Sequence, residues 1–96
     1  MSYKLVILDR AQEEIDQAYD YYSQISSGVL RSFDEQLEKV YQSLEANPFY
    51  EIRYGKLRAL PFKKFPFVVF FAVNEKSKTV YIYSVFHSSQ NPEKYP

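Results

Sequence analysis

Residues that could take part in chemistry are concentrated in the second half of the sequence. His87 is the only histidine, and an imidazole changes protonation near neutral pH, which suits a general acid or base. A lone histidine is also often a structural hydrogen-bonding group. Lys56 and Arg58 are two positions apart, so a strand would place both side chains on one side of a sheet, where they could contact an anion. The alternative is an edge strand protected by charge.

Further basic residues enlarge this surface. Arg53 precedes the Lys56 and Arg58 pair, and Lys63 and Lys64 follow it. The charge is asymmetric along the chain, because residues 9–51 carry ten acids and three bases whereas residues 52–96 carry eight bases and two acids. An anionic partner should therefore meet the C-terminal half. The formal net charge of zero argues against a general nucleic-acid binder.

Metal, disulfide and membrane sites are not predicted. The chain has no cysteine, which excludes disulfides and thiolate metal ligands. Acidic residues on the helical segments lack a paired histidine motif and are interpreted as solvated faces. They are Glu13, Glu14, Asp16, Asp20, Asp34, Glu35 and Glu38. The apolar segment Leu5 to Leu8 is too short for a signal sequence, and no segment approaches the roughly 20 apolar residues of a membrane span. We therefore expect a cytoplasmic protein without cofactors.

The first half of the sequence has the pattern of a strand followed by two helices. A buried strand is predicted for Tyr3 to Leu8, with Asp9 as the N-cap of the next helix. Apolar residues then recur at helical spacing in two segments, separated by Ser26-Ser27-Gly28 and ended by Asn47-Pro48. The segments predict an antiparallel helical hairpin. Its packing stripes are Ala11, Ile15, Ala18, Tyr19, Tyr22 and Ile25, then Leu30, Phe33, Leu37, Val40, Tyr41 and Leu44, and Tyr21 is assigned to the same seam.

The second half has the pattern of strands. Strands are predicted for Lys56 to Leu60, Phe67 to Val73 and Thr79 to Phe86, and the polar segment Asn74 to Lys78 predicts a hairpin loop. The order is βααβββ. We expect an α+β fold in which the helical hairpin packs on one face of a mostly antiparallel sheet, in one domain of residues 1–96 with residues 87–96 as a C-terminal tail.

The strand Phe67 to Val73 is apolar on both faces. Helices cover only one face of the sheet in a two-layer fold, so the other face would expose apolar surface. Its own chain or a second copy could cover this surface. A dedicated partner is the other explanation, because large apolar patches on small proteins mark interaction sites.

The ordered segments together resemble the RelE/ParE toxin family, nearer its ParE or plasmid-stabilisation branch. The resemblance covers nearly the whole chain. It is carried by the order of elements, by Ala11 and Ile15, and by three motifs. These motifs are Lys56-Leu57-Arg58-Ala59-Leu60, Lys63-Lys64-Phe65-Pro66-Phe67 and Phe86-His87-Ser88-Ser89-Gln90-Asn91-Pro92 with Tyr95.

The resemblance implies the toxin of a type II toxin-antitoxin module that inhibits growth when free and is neutralised by a cognate antitoxin. An acidic or amphipathic antitoxin would cover a sheet face and the basic groove, as a heterotetramer with the toxin or on a toxin homodimer. The residues predicted for its binding are Phe67, Val69, Phe71, Tyr81 and Tyr83.

Two activities occur in this family, and the residues favour one of them. RelE-like members cleave messenger RNA on the ribosome, which here would use His87, Arg58, Lys64 and Tyr95. ParE-like members inhibit DNA gyrase without chemistry, and Arg53, Lys56, Arg58, Lys63 and Lys64 would then bind the target or an anion. Gln90 stands where many relatives have arginine, and a neutral amide cannot stabilise a phosphorane. The sequence therefore favours a ParE-like gyrase inhibitor over a ribosome-dependent endonuclease, and an inactive binding module is a third alternative.

Overall fold

The computed structural model describes residues 2–89, which form two helices and five strands in two layers. The elements are β1 (Lys4–Ile7), α1 (Asp9–Ser23), α2 (Ser27–Ala46), β2 (Ile52–Tyr54), β3 (Leu57–Pro61), β4 (Phe67–Asn74) and β5 (Thr79–His87). Within residues 2–89, neither helix has the length and apolar character needed to cross a membrane.

The two helices form the predicted hairpin, with small differences at their ends. Leu8 is the N-cap residue of α1, so the prediction for Asp9 is wrong by one position. Asp9 instead lies in the first turn, where a carboxylate interacts favourably with the helix dipole. Ser26 caps α2, because its Oγ accepts a hydrogen bond from the backbone N–H of Val29 at 3.1 Å. As predicted, α2 ends just before Asn47-Pro48.

The five strands form one sheet in the order β1-β5-β4-β3-β2. β1 is parallel to β5, and the remaining pairs are antiparallel. The helical hairpin therefore carries the chain from one edge of the sheet to the other, and a meander returns it to β5 beside β1. This arrangement confirms the predicted α+β fold and adds the short edge strand β2, which was not predicted.

Helices and sheet meet in an aromatic core centred on Phe33. The ring of Phe33 is fully buried and lies 5.2 to 5.6 Å, between ring centroids, from five other aromatic rings. These rings belong to Tyr19, Tyr22, Phe62, Phe65 and Phe67. Edge-to-face and stacked aromatic pairs each add roughly 0.5 to 1.5 kcal/mol beyond their buried area. The cluster therefore fixes both helices on the β3–β4 hairpin.

A β-bulge interrupts the β4–β5 ladder. Phe70 is opposite Ser84, but the next residue, Phe71, is opposite Ile82, so Tyr83 is the extra residue. The bulge keeps Ile82 and Val85 on the helix side, where both are buried in the core. Tyr83 itself remains 41% exposed.

A polar cluster lies beside the core where the two helices meet. The hydroxyl of Tyr19 on α1 donates a 2.5 Å hydrogen bond to the carboxylate of Asp34 on α2. Burial, with a smaller effect from this carboxylate, raises the pKa of Tyr19. Burial together with the charges of Glu38 and Asp34 raises the pKa of Tyr41 to about 12.

The two glycines have different backbone conformations. Replacing each with alanine should therefore change the free energy of unfolding in opposite directions. Gly55, in the β2–β3 turn, has a φ of +55°, and an added Cβ would have no atom within 4 Å. Gly55→Ala should lower the free energy of unfolding by about 1 kcal/mol through backbone strain alone. Gly28 is helical, and its added Cβ would come no closer than 4.0 Å to Ser26 Oγ. Gly28→Ala should raise that free energy by about 0.5 kcal/mol.

Urea unfolding of both variants measures this difference. The fluorescence or circular dichroism midpoints should move in opposite directions at an unchanged m-value. Equal destabilisation by the two substitutions would contradict the assigned backbone conformations.

The raised tyrosine pKa values predict a loss of stability at alkaline pH. The unfolded chain releases its tyrosine protons near the ordinary value of 10, whereas folded Tyr41 keeps its proton until about pH 12. The folded state therefore binds more protons in this window, and its stability falls as the pH rises from about 10 to about 12. Tyr41→Phe should make the decline shallower.

Urea unfolding at successive pH values between 8 and roughly 11.5 tests this dependence. Tyr21→Phe, on the exposed side of α1, is the control for loss of a hydroxyl group. A decline of the same slope in wild type and Tyr41→Phe would refute the assignment to Tyr41.

Candidate functional site

Arg58 has a structural role at one end of the sheet. Its Nη1 donates a 2.7 Å hydrogen bond to the carbonyl oxygen of Tyr50, and its guanidinium carbon lies 5.3 Å from the centroid of the Phe49 ring. The side chain is half-buried. Arg58 therefore holds the segment that follows α2 onto β3 through one guanidinium donor and its contact with the Phe49 ring.

Aromatic and cationic groups continue along this end of the sheet. The rings of Phe49 and Tyr3 meet edge to face at 5.9 Å, and Lys78 Nζ lies 5.4 Å from the centroid of Tyr3. Each cation faces a ring, as cation–π attraction favours. The series from Arg58 to Lys78 ties the segment after α2 to the start of β1 and to the β4–β5 loop.

The other predicted cations near Arg58 are on the surface. Lys56 is exposed in the β2–β3 turn. Arg53 Nη2 lies 3.9 Å from Glu51 Oε2, with both side chains largely exposed. A surface pair of this kind contributes little stability. Lys56 and Arg53 thus remain available to an anionic partner.

Lys63 and Lys64 lie at the opposite end of the sheet, in the loop that joins β3 to β4. Both are exposed. The loop is anchored on each side, because Phe62 N–H donates to Phe67 O at 2.9 Å and Ser88 N–H donates to Pro66 O at 2.7 Å. The second bond brings the end of β5 next to the lysine loop.

His87 ends β5 close to that loop. Its Nδ1 lies 2.5 Å from Ser89 Oγ and 3.3 Å from Ser89 N. Its ring meets Phe67 edge to face at 5.1 Å. His87 also lines a cavity of about 200 Å³ with Glu14, Tyr21 and other residues of α1. The imidazole is therefore half-buried and positioned by packing and by the Ser89 hydroxyl.

The predicted catalytic residues are not brought together. Arg58 is opposite Phe71 in the ladder, whereas His87 is opposite Phe67. Four residues of an antiparallel strand separate these partners by about 13 Å along β4, and β4 itself lies between β3 and β5. Lys64 lies at the His87 end, and Tyr95 lies outside the described residues.

Three of the five residues predicted to bind the antitoxin are buried in the structure. Phe67, Val69 and Phe71 are 8%, 1% and 0% exposed and belong to the core beneath the helices. A partner therefore cannot reach them on the folded chain. Tyr81 and Tyr83 do not belong to this core cluster, and they are half-buried and exposed, respectively.

The second apolar set of β4 also offers little open surface. Phe70 is 2% exposed and Phe86 is 1% exposed, with ring centroids 6.5 Å apart. Val68 and Ala72 are half-buried. Among the described residues, the strand Phe67 to Val73 therefore does not expose the large apolar patch that was expected.

Within residues 2–89, no cluster of three or more His, Cys, Asp or Glu side chains could hold a metal ion. The described arrangement is instead that of a basic surface divided between two ends of a sheet, with apolar contacts beside each part. Such a surface is suited to binding an anionic or acidic partner.

Comparison with known proteins identifies the family. Residues 5–92 match the family described as the ParE toxin of the type II toxin-antitoxin system, parDE. This match spans nearly the whole chain. The chain belongs to the ParE toxin family. The resemblance to RelE/ParE toxins stated from the sequence is thereby confirmed.

A solved structure supports the fold of this ParE-family chain. This chain is similar in structure to a chain of the chromosomal ParDE TA system from P. aeruginosa, with a TM-score of 0.68 and 20% sequence identity. The match covers 90% of this chain and 96% of the other. At this identity the likeness shows a shared fold. Among curated proteins, none matches the sequence significantly.

Glu14 has a structural role in this chain that the sequence did not reveal. It was assigned to a solvated face, but its Oε1 accepts hydrogen bonds from Ser84 Oγ at 2.7 Å and from the backbone N–H of Val85 at 3.0 Å. Its Oε2 lies 3.5 Å from Arg10 Nε. β1 pairs with β5 only as far as Ile82, so Glu14 satisfies donors of β5 beyond the end of β1.

Two residues assigned to the helical seam are on the surface of this ParE-family chain. Tyr21 is 61% exposed and Ile25 is 53% exposed. Tyr21 borders the cavity beside His87. Ile25 follows the helical period of the stripe, but α1 ends at Ser23. Tyr21 does not follow that period.

Glu14→Ala should destabilise the fold by about 2 to 3 kcal/mol, because the Ser84 hydroxyl and the Val85 N–H would lose a charged acceptor. Ser84 is fully buried, so water cannot easily replace the carboxylate. Glu14→Gln keeps an acceptor oxygen and should lose less.

Glu13→Ala is the matched control, since Glu13 is an exposed neighbour on the same helix. It should change the free energy of unfolding by less than about 0.5 kcal/mol. Similar losses in urea unfolding for Glu13→Ala and Glu14→Ala would exclude the bridging role of Glu14.

Proposed function

We propose that this chain is a growth-inhibiting toxin of the cytoplasm that blocks DNA gyrase by binding it and is neutralised by a cognate antitoxin. The proposal takes the target from the ParE branch of the family. It makes the toxin a binding protein, in which surface charge and shape replace acid–base chemistry.

The separation of Arg58 from His87 is the observation that carries this proposal. Metal-free cleavage of RNA needs a base, an acid and cations around one phosphate. Arg58 is held by the Tyr50 carbonyl and the Phe49 ring, at the end of the sheet away from His87. Arg58 is the only residue of the predicted catalytic set that could bind a phosphate through two donors. It therefore lies away from His87, the only histidine of the sequence.

The cations that do lie near His87 are less suited to phosphate chemistry. Lys63 and Lys64 are exposed ammonium groups on a loop. A lysine offers a mobile point charge, whereas an arginine provides a fixed pair of donors that matches a phosphate. These lysines can attract an acidic protein surface without being held in a catalytic geometry.

Neutralisation by an antitoxin is supported by membership of a family of toxins from two-gene modules. A protein that arrests growth when free requires a partner that covers its target-binding surface. Because Phe67, Val69 and Phe71 are buried, that partner must use residues other than these three.

One observation favours the ribosome-dependent endonuclease as a second candidate. The bond between Ser88 N and Pro66 O joins the end of β5 to the lysine loop. His87 and Lys64 therefore lie at the same end of the sheet and could act on one RNA strand when the ribosome supplies the remaining contacts.

Purified toxin should abolish ATP-dependent supercoiling of relaxed plasmid by gyrase while leaving cell-free translation unaffected. His87→Asn keeps an acceptor near the position of Nδ1 but cannot act as an acid or base at neutral pH. It should therefore arrest growth on induction as fully as wild type. Circular dichroism of the variant checks that it is folded.

Three results would count against gyrase binding. Intact supercoiling with arrested translation, and primer-extension cuts that vanish in His87→Asn, would establish the endonuclease. Normal growth after strong induction without antitoxin would establish an inactive binding module. Growth arrest with both processes intact would require another target.

A further inference from the structure

Strand β2 forms one edge of the sheet, and its outer side is open in the part of the chain that the structure describes. β2 stands last in the strand order and pairs with β3 on one side. Ile52 is 52% exposed, and the side chains of Glu51 and Arg53 are 78% and 60% exposed. An open edge of this kind offers its backbone groups to another strand.

The N–H and carbonyl groups of Ile52 point away from β3. Ile52 is directly opposite Arg58, and the neighbouring bond runs from Ala59 N to Glu51 O at 3.3 Å. In an antiparallel ladder, a pair of residues flanked by such a bond is a non-hydrogen-bonded pair, so its own N–H and carbonyl groups face outward. Ile52 therefore presents one donor and one acceptor at the open edge.

The residues on either side of Ile52 carry opposite charges. Glu51 Oε2 lies 3.9 Å from Arg53 Nη2, so both side chains are on the same face of the strand, as alternation predicts. Ile52 lies on the other face, which the ladder connects through Arg58 to Phe71. Because Phe71 belongs to the core, Ile52 is on the face that the helices cover.

The charges along this edge are complementary to those of a second, antiparallel copy. With Ile52 opposite Ile52, each Glu51 stands opposite an Arg53 of the other copy. The two Ile52 residues then exchange two N–H···O bonds, as a hydrogen-bonded pair does, and opposite charges directly across the strands stabilise the alignment. Sliding one strand by two residues instead sets Glu51 opposite Glu51 or Arg53 opposite Arg53, which repel each other. Charge therefore selects one register.

The opposite edge of the sheet lacks this property. β1 is the other end strand, and Lys4 is its single charged residue. Two antiparallel copies of β1 would therefore have no opposite charges to pair. Self-complementarity is a property of the β2 edge.

We propose that two copies of this chain join through their β2 edges in a two-fold symmetric dimer with one continuous sheet. A two-fold contact uses the same surface twice, which the order Glu51-Ile52-Arg53 satisfies. The irregularity in the ladder between Ile52 and Tyr54 bends the strand and limits the pairing to these three residues. A contact this short belongs to the weak class of interfaces, with an expected Kd of roughly 0.1 to 1 mM. Dimerisation at β2 does not depend on which target the chain binds.

Sedimentation velocity of the full chain tests the dimer. The concentrations should run from roughly 10 µM to 1 mM, which spans the expected Kd. The mean sedimentation coefficient should rise from that of a monomer toward that of a dimer over this range. In the ¹⁵N-labelled chain, the amide signals of Ile52 and Arg53 should shift on dilution, because the Ile52 N–H loses its acceptor when the dimer dissociates.

Charge reversal assigns the contact to β2. Glu51→Arg sets arginine opposite arginine, and Arg53→Glu sets glutamate opposite glutamate, so each variant alone should dimerise at least about tenfold more weakly. An equimolar mixture of the two variants should form a dimer with a Kd within about twofold of the wild-type value, because each strand then faces opposite charges.

Glu75→Arg and Lys76→Glu are the matched controls, since they make the same charge changes in the exposed β4–β5 loop. At physiological ionic strength each should change the Kd of the dimer by no more than about twofold. Urea midpoints equal to that of wild type show that all four variants are folded.

Three outcomes would overturn the proposal. A chain that stays monomeric at about 1 mM would leave the β2 edge to a strand of a different protein. Equal weakening by the β2 variants and the loop variants would mean that net charge alone governs association. A mixture of Glu51→Arg and Arg53→Glu chains that stays monomeric, while wild type dimerises, would exclude the antiparallel register centred on Ile52.

Discussion

Packing around Phe33 holds the two layers of the molecule together. This α2 ring contacts aromatic residues of α1, the β3–β4 loop and β4. An interior packed at near-crystalline density allows few arrangements of so many rings. This packing holds α2 against the residues that join β3 to β4.

Satisfaction of polar groups at the sheet edge is a second constraint. β1 is four residues long and covers only the first part of β5. Beyond the end of β1, Glu14 accepts hydrogen bonds from the backbone N–H of Val85 and from the hydroxyl of Ser84. Among the described residues, no buried side-chain nitrogen or oxygen lacks a partner. A carboxylate thus completes the sheet at the place where the chain must leave it to start α1.

The sheet also divides the basic residues according to their use. Arg58 contacts the segment that follows α2. Lys56 is exposed before the start of β3, and Lys63 and Lys64 are exposed after its end. Because the Arg58 guanidinium makes these structural contacts, it is less free to bind a phosphate. The described cations are therefore divided between a structural contact and exposed positions.

The helical hairpin and the β3–β4–β5 meander could be predicted from the sequence, because periodic apolar residues and Asn47-Pro48 act locally. The family was predicted from the order of the elements and from short motifs. It missed β2, since three residues carry no measurable period. The three-dimensional structure was needed to show that Phe67, Val69 and Phe71 face the helices, that Glu14 bonds Ser84 and that Arg58 lies apart from His87. Each depends on contacts between residues far apart in the chain, and both faces of β4 have the same apolar pattern. Alternation can group such side chains, but only packing decides which group is buried.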